Sequence, residues 1–239
     1  MISFIIPTLN EEKTIEKTLK NLSEYFGEKE IIVSDGRSSD KTIEIAKKYT
    51  DKVIIHDGKT RQTIAGGRNV AAKTAKGDYI LFLDADVYIP DINNFMKKAL
   101  EIFDKDQDVV ALIPSIRVFP EMETFGDKIV FTSIDYVHIL INNMMKIGGA
   151  GGEFQMVRTE IFNRVGGYDE KLVVAEDHEF LRRIAKIGRV FFSKKLRVYH
   201  TGRRAHKIGW PKLLWQWTKN GTSNIFLGKS SNNKWEEIR

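Results

Sequence analysis

Not one of the 239 residues is a cysteine. That excludes thiol catalysis, disulfide bridges and thiolate metal sites, and it agrees with a reducing compartment. Any metal has to be held by carboxylates, histidine or carbonyl oxygens. Long apolar runs are missing as well, and no stretch approaches the roughly 18 uninterrupted apolar residues of a membrane span. The opening MISFIIPTLN is too short in apolar residues for a signal peptide and has no basic segment before it. The chain is therefore expected to start inside the fold and to reside in the cytoplasm or at the cytoplasmic face of a membrane. Internal repeats, low-complexity tracts and linkers are also lacking, so one domain over residues 1–239 is expected.

Positive charge is in excess, with a formal net charge of +6. It is uneven: residues 182–219 hold many Lys and Arg, while the carboxylates concentrate earlier. An anionic partner is expected for the C-terminal part, and nucleic acid is not expected among the partners.

ISFIIP reads as a short strand closed by Pro7. NEEKTIEKTLKNLSEYF follows as a helix with Ile15, Leu19, Leu22 and Phe26 on one face, Asn10 as its cap and Glu11 and Glu12 in its first turn. KEIIVSD, KVIIHD, DYILFLDAD and VVALIPSIRV read as further strands. SSDKTIEIAKKY, TIAGGRNVAAKTAKG (ended by Gly77), INNFMKKALEIF and AEDHEFLRRIAKIGR read as helices. Residues 120–147 read as a helix or helical pair with Met and Phe facing the core or a bound acceptor, and VFFSKKLRVYH as a last strand pair. The alternation predicts an α/β fold with a mostly parallel sheet flanked by helices. Ligands bind beyond the carboxyl ends of such strands, so the polar ends PTLNE, SDGRSSD and DAD should open onto one edge.

At that edge, Asp84 and Asp86 lie on one side of a locally extended chain. There they can share a hard cation with the oxygens of a ligand, as Mg²⁺ or Mn²⁺ does with one or two carboxylates, waters and phosphates; read alone, the triplet also fits an exposed turn or a helix cap. Asp35 can accept a hydrogen bond from a nucleobase or a ribose, or cap the next helix; Ser39 or Asp40 in the capping role leaves it free. Arg68 suits a phosphate or nucleobase contact, or a surface salt bridge. Glu176 and Asp177 open a helix whose field keeps a carboxylate ionised, which is also ordinary N-terminal charge placement. His200 reads as a metal ligand or a structural residue, beside Arg203 and Arg204, which can clamp a diphosphate or an anionic acceptor. The Trp- and Lys-rich segment 206–239 reads as a membrane-interface helix or as a helix covering its own sheet.

FIIPTLNEEKTIEKTL, IIVSDGRSSDKT, GGRNVAAKTAKGDYILFLDAD, MVRTEIFNRVGGYDE and AEDHEF, in that order, resemble the signature of family 2 glycosyltransferases, inverting enzymes with the GT-A fold. The similarity runs from residue 2 to about residue 200. It implies that Pro7, Thr8 and Glu11 line the nucleotide, that Asp35 reads the base and that Arg68 lies near the nucleotide. By the same resemblance Asp84, Ala85 and Asp86 form a D-x-D motif, with Asp86 the direct ligand of a metal bridging the diphosphate, and Asp177 of the E-D motif, beside Glu176, is the catalytic base. Some GT-A enzymes bring a late-strand histidine to the metal, the place His200 would take. Leu9 stands where the family usually has an aromatic residue. QWTKN stands in place of the Q-x-x-R-W of processive members, which implies one transfer per encounter. The expectation is a Mn²⁺- or Mg²⁺-dependent transfer from a UDP- or GDP-linked sugar to a glycan or lipid-linked acceptor. Residues 1–115 would bind the donor, and 116–205 would bind the acceptor and carry catalysis. Two other readings are a nucleotidyltransferase, disfavoured by the acidic PTLNEEKT loop, and a non-catalytic sugar-nucleotide or glycan-binding module, disfavoured by the intact carboxylate motifs.

Overall fold

The structure, a computed structural model, describes residues 1–58 and 60–227, with side chains described as far as residue 219 in the last helix. Seven strands form one sheet: β1 (Ile2–Thr8), β2 (Lys29–Asp35), β3 (Val53–Ile55), β4 (Tyr79–Leu83), β5 (Val109–Val118), β6 (Phe154–Arg158) and β7 (Arg189–His200). Their order is β3-β2-β1-β4-β6-β5-β7, and only β6 runs antiparallel to its neighbours. The helices are α1 (Ile15–Ser23), α2 (Thr42–Ala46), α3 (Ile64–Ala72), α4 (Ile92–Lys105), α5 (Phe125–His138), α6 (Thr159–Val165), α7 (Glu176–Ile184), α8 (Arg203–Ile208) and α9 (Trp210–Leu227). A π-helical turn, Ile139–Met144, continues α5.

The central strands are apolar on both faces because helices cover both. Successive side chains alternate, so Phe4, Ile6, Leu81 and Leu83 join Leu19, Leu22, Phe95 and Phe103 of α1 and α4 in one core. Ile5, Ile80 and Phe82 join Ala65, Ala71, Phe162, Phe180 and Ile184 of α3, α6 and α7 in the other. Phe82 sits 5.4 Å from Phe162 and 5.1 Å from Tyr168, ring to ring.

The parallel register brings the carboxyl ends of β1, β2 and β4 to one edge, as the sequence requires, and β7 delivers His200 to the same edge. Several local expectations are corrected. β1 continues through Pro7 to Thr8; its ladder with β4 ends at Ile5, so the missing proline N–H falls where the strand has a neighbour on one side only. Asn10 has φ 57° and caps nothing, and α1 starts at Ile15. Phe26 is 91% exposed, and Tyr25 is buried in its place. α3 ends at Ala72, short of Gly77, where a Cβ would stand 2.7 Å from the Ser3 amide nitrogen. The Met residues of 120–147 face outward, Met144 at 70% exposure, while Phe131 packs inward. The expected last strand pair is the single strand β7, whose ladder with β5 shifts register between Pro114 and Ser115. Among the described residues no helix is long and apolar enough to cross a membrane.

Candidate active site

Two loops leave the sheet edge zipped together. The Asn10 amide donates to Ser38 Oγ (2.8 Å), the Ser39 amide to Asn10 Oδ1 (2.8 Å) and the Glu11 amide to Thr42 Oγ1 (2.7 Å). Asp35 is not left free, as the capping argument had it. It is fully buried and accepts from the Ser38 amide (2.7 Å), Ser38 Oγ (2.6 Å) and Thr8 Oγ1 (2.7 Å). Asp40 does take the helix start, receiving the Thr42 amide at 3.0 Å. Pro7 is half-buried at the end of β1, beside Thr8.

The Asp84–Ala85–Asp86 turn is held from below by α1. Thr18 Oγ1 donates to the carbonyls of Ala85 (2.8 Å) and Val87 (3.0 Å), and Asn21 exchanges hydrogen bonds with Ile89. Tyr88 and Tyr199 pair through their backbones and press this turn against the end of β7. There Thr201 Oγ1 donates to Asp86, and Arg203 Nε stands 3.6 Å from the same carboxylate. Arg203 spends its two terminal nitrogens on Glu11, at 2.7 and 2.8 Å, in a bidentate pair that ties the first loop to α8. Both residues expected to reach the nucleotide thus hold each other in position. Arg204 lines the cleft beside them.

Arg68 is neither a surface ion pair nor an open anion contact. It is 1% exposed, and its guanidinium donates to Glu176 (3.1 Å), Asp84 (3.4 Å) and the Gly152 carbonyl (2.9 Å). The small residues of α3 let this helix approach the sheet closely enough to seat it. Through Arg68 the D-x-D turn is joined to α7, which begins at Ala175 in the left-handed region, φ 61°. Such backbone costs about 1–2 kcal/mol for a residue with a Cβ and marks a place where geometry is over-determined. Glu176 is buried and Asp177 half-buried at this helix start.

Asp84, Asp86, Arg68, Glu176, Asp177, His200, Arg203 and Arg204 line one cleft of about 410 Å³, whereas Pro7, Thr8, Glu11 and Asp35 are not part of its lining. Burial pushes the carboxyls of Asp84 and Glu153 up to about 7, against the pull of Arg68. Burial, aided by the neighbouring Asp177, likewise raises Glu176. His200 is packed edge-on to Phe131 at 5.3 Å and held below its ordinary value by burial, so its ring is neutral; its Nε2 is buried without a hydrogen-bond partner. The carboxylates outnumber the arginines that face them. A hard divalent cation answers such an excess, and an orphaned imidazole nitrogen is a ready ligand. Among the described residues no three His, Asp or Glu converge as a complete metal cage.

The other arm of the cleft is apolar, lined by Pro114, Ile116, Phe131, Ile134, Trp210 and Trp217. Asp127, fully buried at the start of α5, accepts from Trp210 Nε1 and pairs with His206 Nε2, each at 2.8 Å, and so fastens α8 and α9 over this arm. Trp210 and Leu213 therefore cover the domain's own core, while Leu214, Trp215 and Trp217 stay exposed. Sequence reasoning missed Glu153, Thr201, Thr18 and Asp127. Only Glu153 carried a local signal, as the one charge in a glycine-rich loop.

The sequence profile described as Glycosyl transferase family 2 matches residues 3–166. An uncharacterized glycosyltransferase of Haemophilus influenzae is 26% identical over 187 residues, covering 77% of this chain and 62% of that protein. The poly(ribitol-phosphate) β-N-acetylglucosaminyltransferase TarS of Staphylococcus aureus is 36% identical over 118 residues, covering 46% of this chain and 20% of TarS. Residues 1–349 of TarS, crystallised with UDP-GlcNAc, superpose with a TM-score of 0.62 at 23% identity, over 83% of this chain and 57% of that one. The mannosyltransferase PcManGT of Pyrobaculum calidifontis, in complex with GDP-Man and Mn²⁺, superposes with a TM-score of 0.69 at 21% identity, over 92% of this chain and 60% of that one. The fold is shared with these glycosyltransferases, and the chain spans less than two thirds of each one's length.

Proposed function

The chain belongs to glycosyl transferase family 2, and on that premise we propose that it is a metal-dependent, inverting glycosyltransferase. It would move one sugar per encounter from a UDP- or GDP-linked donor to a glycan or lipid-linked acceptor. The observation that carries this reading is that the D-x-D pair, the E-D pair and His200 meet in one cleft at the ligand edge of the sheet. The solved complexes of TarS with UDP-GlcNAc and of PcManGT with GDP-Man and Mn²⁺ support the donor class and the ion.

In this reading Asp84, Asp86 and His200 hold Mn²⁺ or Mg²⁺, which when bound offsets the charge of the departing diphosphate. Asp35, Pro7 and Thr8 form the floor under the nucleoside. Asp35 meets the base or ribose with what acceptor capacity Ser38 and Thr8 leave it. Asp177, at the start of α7, takes the proton of the acceptor hydroxyl as that oxygen bonds to the anomeric carbon and the sugar–phosphate bond breaks with its electron pair on the diphosphate. Glu176 and Arg68 keep Asp177 and Asp84 in fixed relation, which is the orientation such a displacement requires.

The acceptor would enter along the apolar arm. Among the described residues, nine of the sixteen exposed large apolar side chains fall between Met122 and Ile147, and Leu214, Trp215 and Trp217 add three more on α9. No Asp or Glu occurs between Phe180 and Trp235, a stretch rich in Lys and Arg. Apolar surface rimmed by positive charge suits peripheral attachment to an anionic membrane, at the cytoplasmic face, beside a lipid-linked acceptor.

Asp177→Asn separates the roles. It should leave binding of UDP- or GDP-sugars intact and reduce release of nucleoside diphosphate by 10²-fold or more. Near-normal turnover would mean that the base lies elsewhere.

A further inference from the structure

Glu153 has no role in the chemistry above, although it lies at its centre. Its carbonyl accepts the Asp84 amide at 3.1 Å, one rung beyond the Leu83–Phe154 pair of the β4–β6 ladder. Its side chain lines the cleft with Asp84, Asp86, Glu176 and Asp177, and Oε2 is buried with no hydrogen-bond partner. Bare carboxylate oxygens are uncommon inside proteins, because each forfeits its hydration without return. Room has been left for this one: a Cβ on Gly151 would overlap Glu153 Oε2, and one on Gly152 would stand 2.7 Å from Arg68 Nη2.

Resting on the donor reading above, we propose that Glu153 binds the transferred sugar, accepting hydrogen bonds from its hydroxyls and thereby selecting which sugar is used. Three observations lead there. Glu153 lines the same cleft as Asp177 and Asp86, and its carbonyl holds the Asp84 amide, so it lies where the group that faces the acceptor and the groups that face the diphosphate come together. The part of a donor that occupies that place is the sugar. A carboxylate accepts and does not donate, so its natural partners in a neutral sugar are hydroxyls. In the donor reading Asp84, Asp86 and His200 already supply the protein ligands of the ion, and Mn²⁺ or Mg²⁺ typically takes only one or two carboxylates, which leaves Glu153 for the sugar. A site that hydrogen-bonds a hydroxyl also rejects a sugar whose hydroxyl points elsewhere, since the carboxylate is then left unpaired.

The test is calorimetry with Mn²⁺, using UDP, GDP, UDP-glucose, UDP-galactose, UDP-GlcNAc and GDP-mannose. Wild type should prefer one nucleotide sugar over its epimers. Glu153→Ala should weaken that sugar nucleotide by roughly 10- to 150-fold, the range for a hydrogen bond to a charged group, and flatten the preference, while affinity for the matching nucleoside diphosphate stays within about twofold. Glu153→Gln, which keeps one acceptor oxygen, should fall between. Gly151→Ala displaces the flexible end of Glu153 without touching the backbone and should mimic the loss. An unchanged sugar preference in Glu153→Ala would overturn the proposal, as would an equal loss for nucleoside diphosphate alone, which would make Glu153 a metal or diphosphate residue. A wild type that binds no nucleotide at all would instead remove the donor reading on which the proposal rests.

Discussion

Replacing Arg68 by Met keeps the volume of the side chain and removes its charge. Arg68 is the only opposite charge paired with buried Glu176 among the described residues, at 3.1 Å, whereas Asp84 keeps 39% of its side chain exposed toward the cleft. Breaking a buried ion pair from one side costs about 3–5 kcal/mol, while a half-exposed pair is worth under about 1 kcal/mol. Most of the loss should therefore come from Glu176, and the low end, about 3 kcal/mol, is expected because a proton can replace the arginine. For a chain of this size that corresponds to a fall in Tm of about 6–12 °C. Urea and thermal unfolding at pH 8 and pH 5 would measure it. The deficit should shrink at pH 5, where Glu176, already raised by burial and by Asp177, is neutral. Adding Glu176→Gln to the variant should recover about 2 kcal/mol at pH 8. A loss below about 1 kcal/mol, or one equal at both pH values, would show that Arg68 matters as packing and not as the charge that joins the two carboxylate motifs.

Ala175→Gly should relieve the left-handed backbone before Glu176 and raise stability by about 1 kcal/mol in urea, while lowering turnover by freeing the start of α7; unchanged turnover would mean that the strain has no role in placing Asp177. In the metal-free protein burial raises Glu153 to about 7 in place of 4.5, and it raises Asp84 in the same direction though less firmly, because 39% of that side chain is exposed, so the folded state holds protons that the unfolded chain has lost. Their contribution to stability is complete below about pH 4 and falls away as pH rises to about 7. Mn²⁺ should take the place of those protons, so its effect on Tm should be small at pH 5 and large at pH 8; a shift independent of pH would contradict the account. Phe125→Ser with Met144→Ser, both exposed and neither lining the cleft, should reduce sedimentation with vesicles containing anionic lipid by at least 10-fold and leave donor binding unchanged. Equal binding to neutral vesicles would refute the charge argument.

The strand order could be read in part because the parallel strands are apolar throughout and end on polar residues, so PTLNE, SDGRSSD and DAD announce a common edge. What escaped the sequence depends on contacts distant in the chain. Asn10 looks like a cap, yet its partners Ser38 and Ser39 are 28 and 29 residues away. Asp35 looks spare until Thr8, 27 residues earlier, is seen to claim it. Arg68 reads as a surface cation because nothing local shows Glu176, 108 residues on, beside it. The antiparallel course of β6 is equally silent in FQMVR, whose apolar run suits either direction, and that course is what sets Glu153 beside Asp84. The place of Asp84 and Asp86 at the sheet edge was legible because charge at the end of an apolar strand stands out, whereas Glu176 and Asp177, ordinary charges at a helix start when read alone, stood out only through the resemblance.

The central claim is that the cleft binds a nucleoside diphosphate sugar together with a divalent ion. The most direct measurement is the Tm of the protein with UDP- and GDP-sugars, with and without Mn²⁺, for wild type and Asp86→Ala. At 100 times Kd a ligand stabilises the folded state by about 2.7 kcal/mol, which here is a rise of about 5–10 °C. The account predicts that rise with one nucleotide class, only when Mn²⁺ is present, and its loss in Asp86→Ala. No rise with any nucleotide sugar, or a rise of equal size in Asp86→Ala, would contradict it.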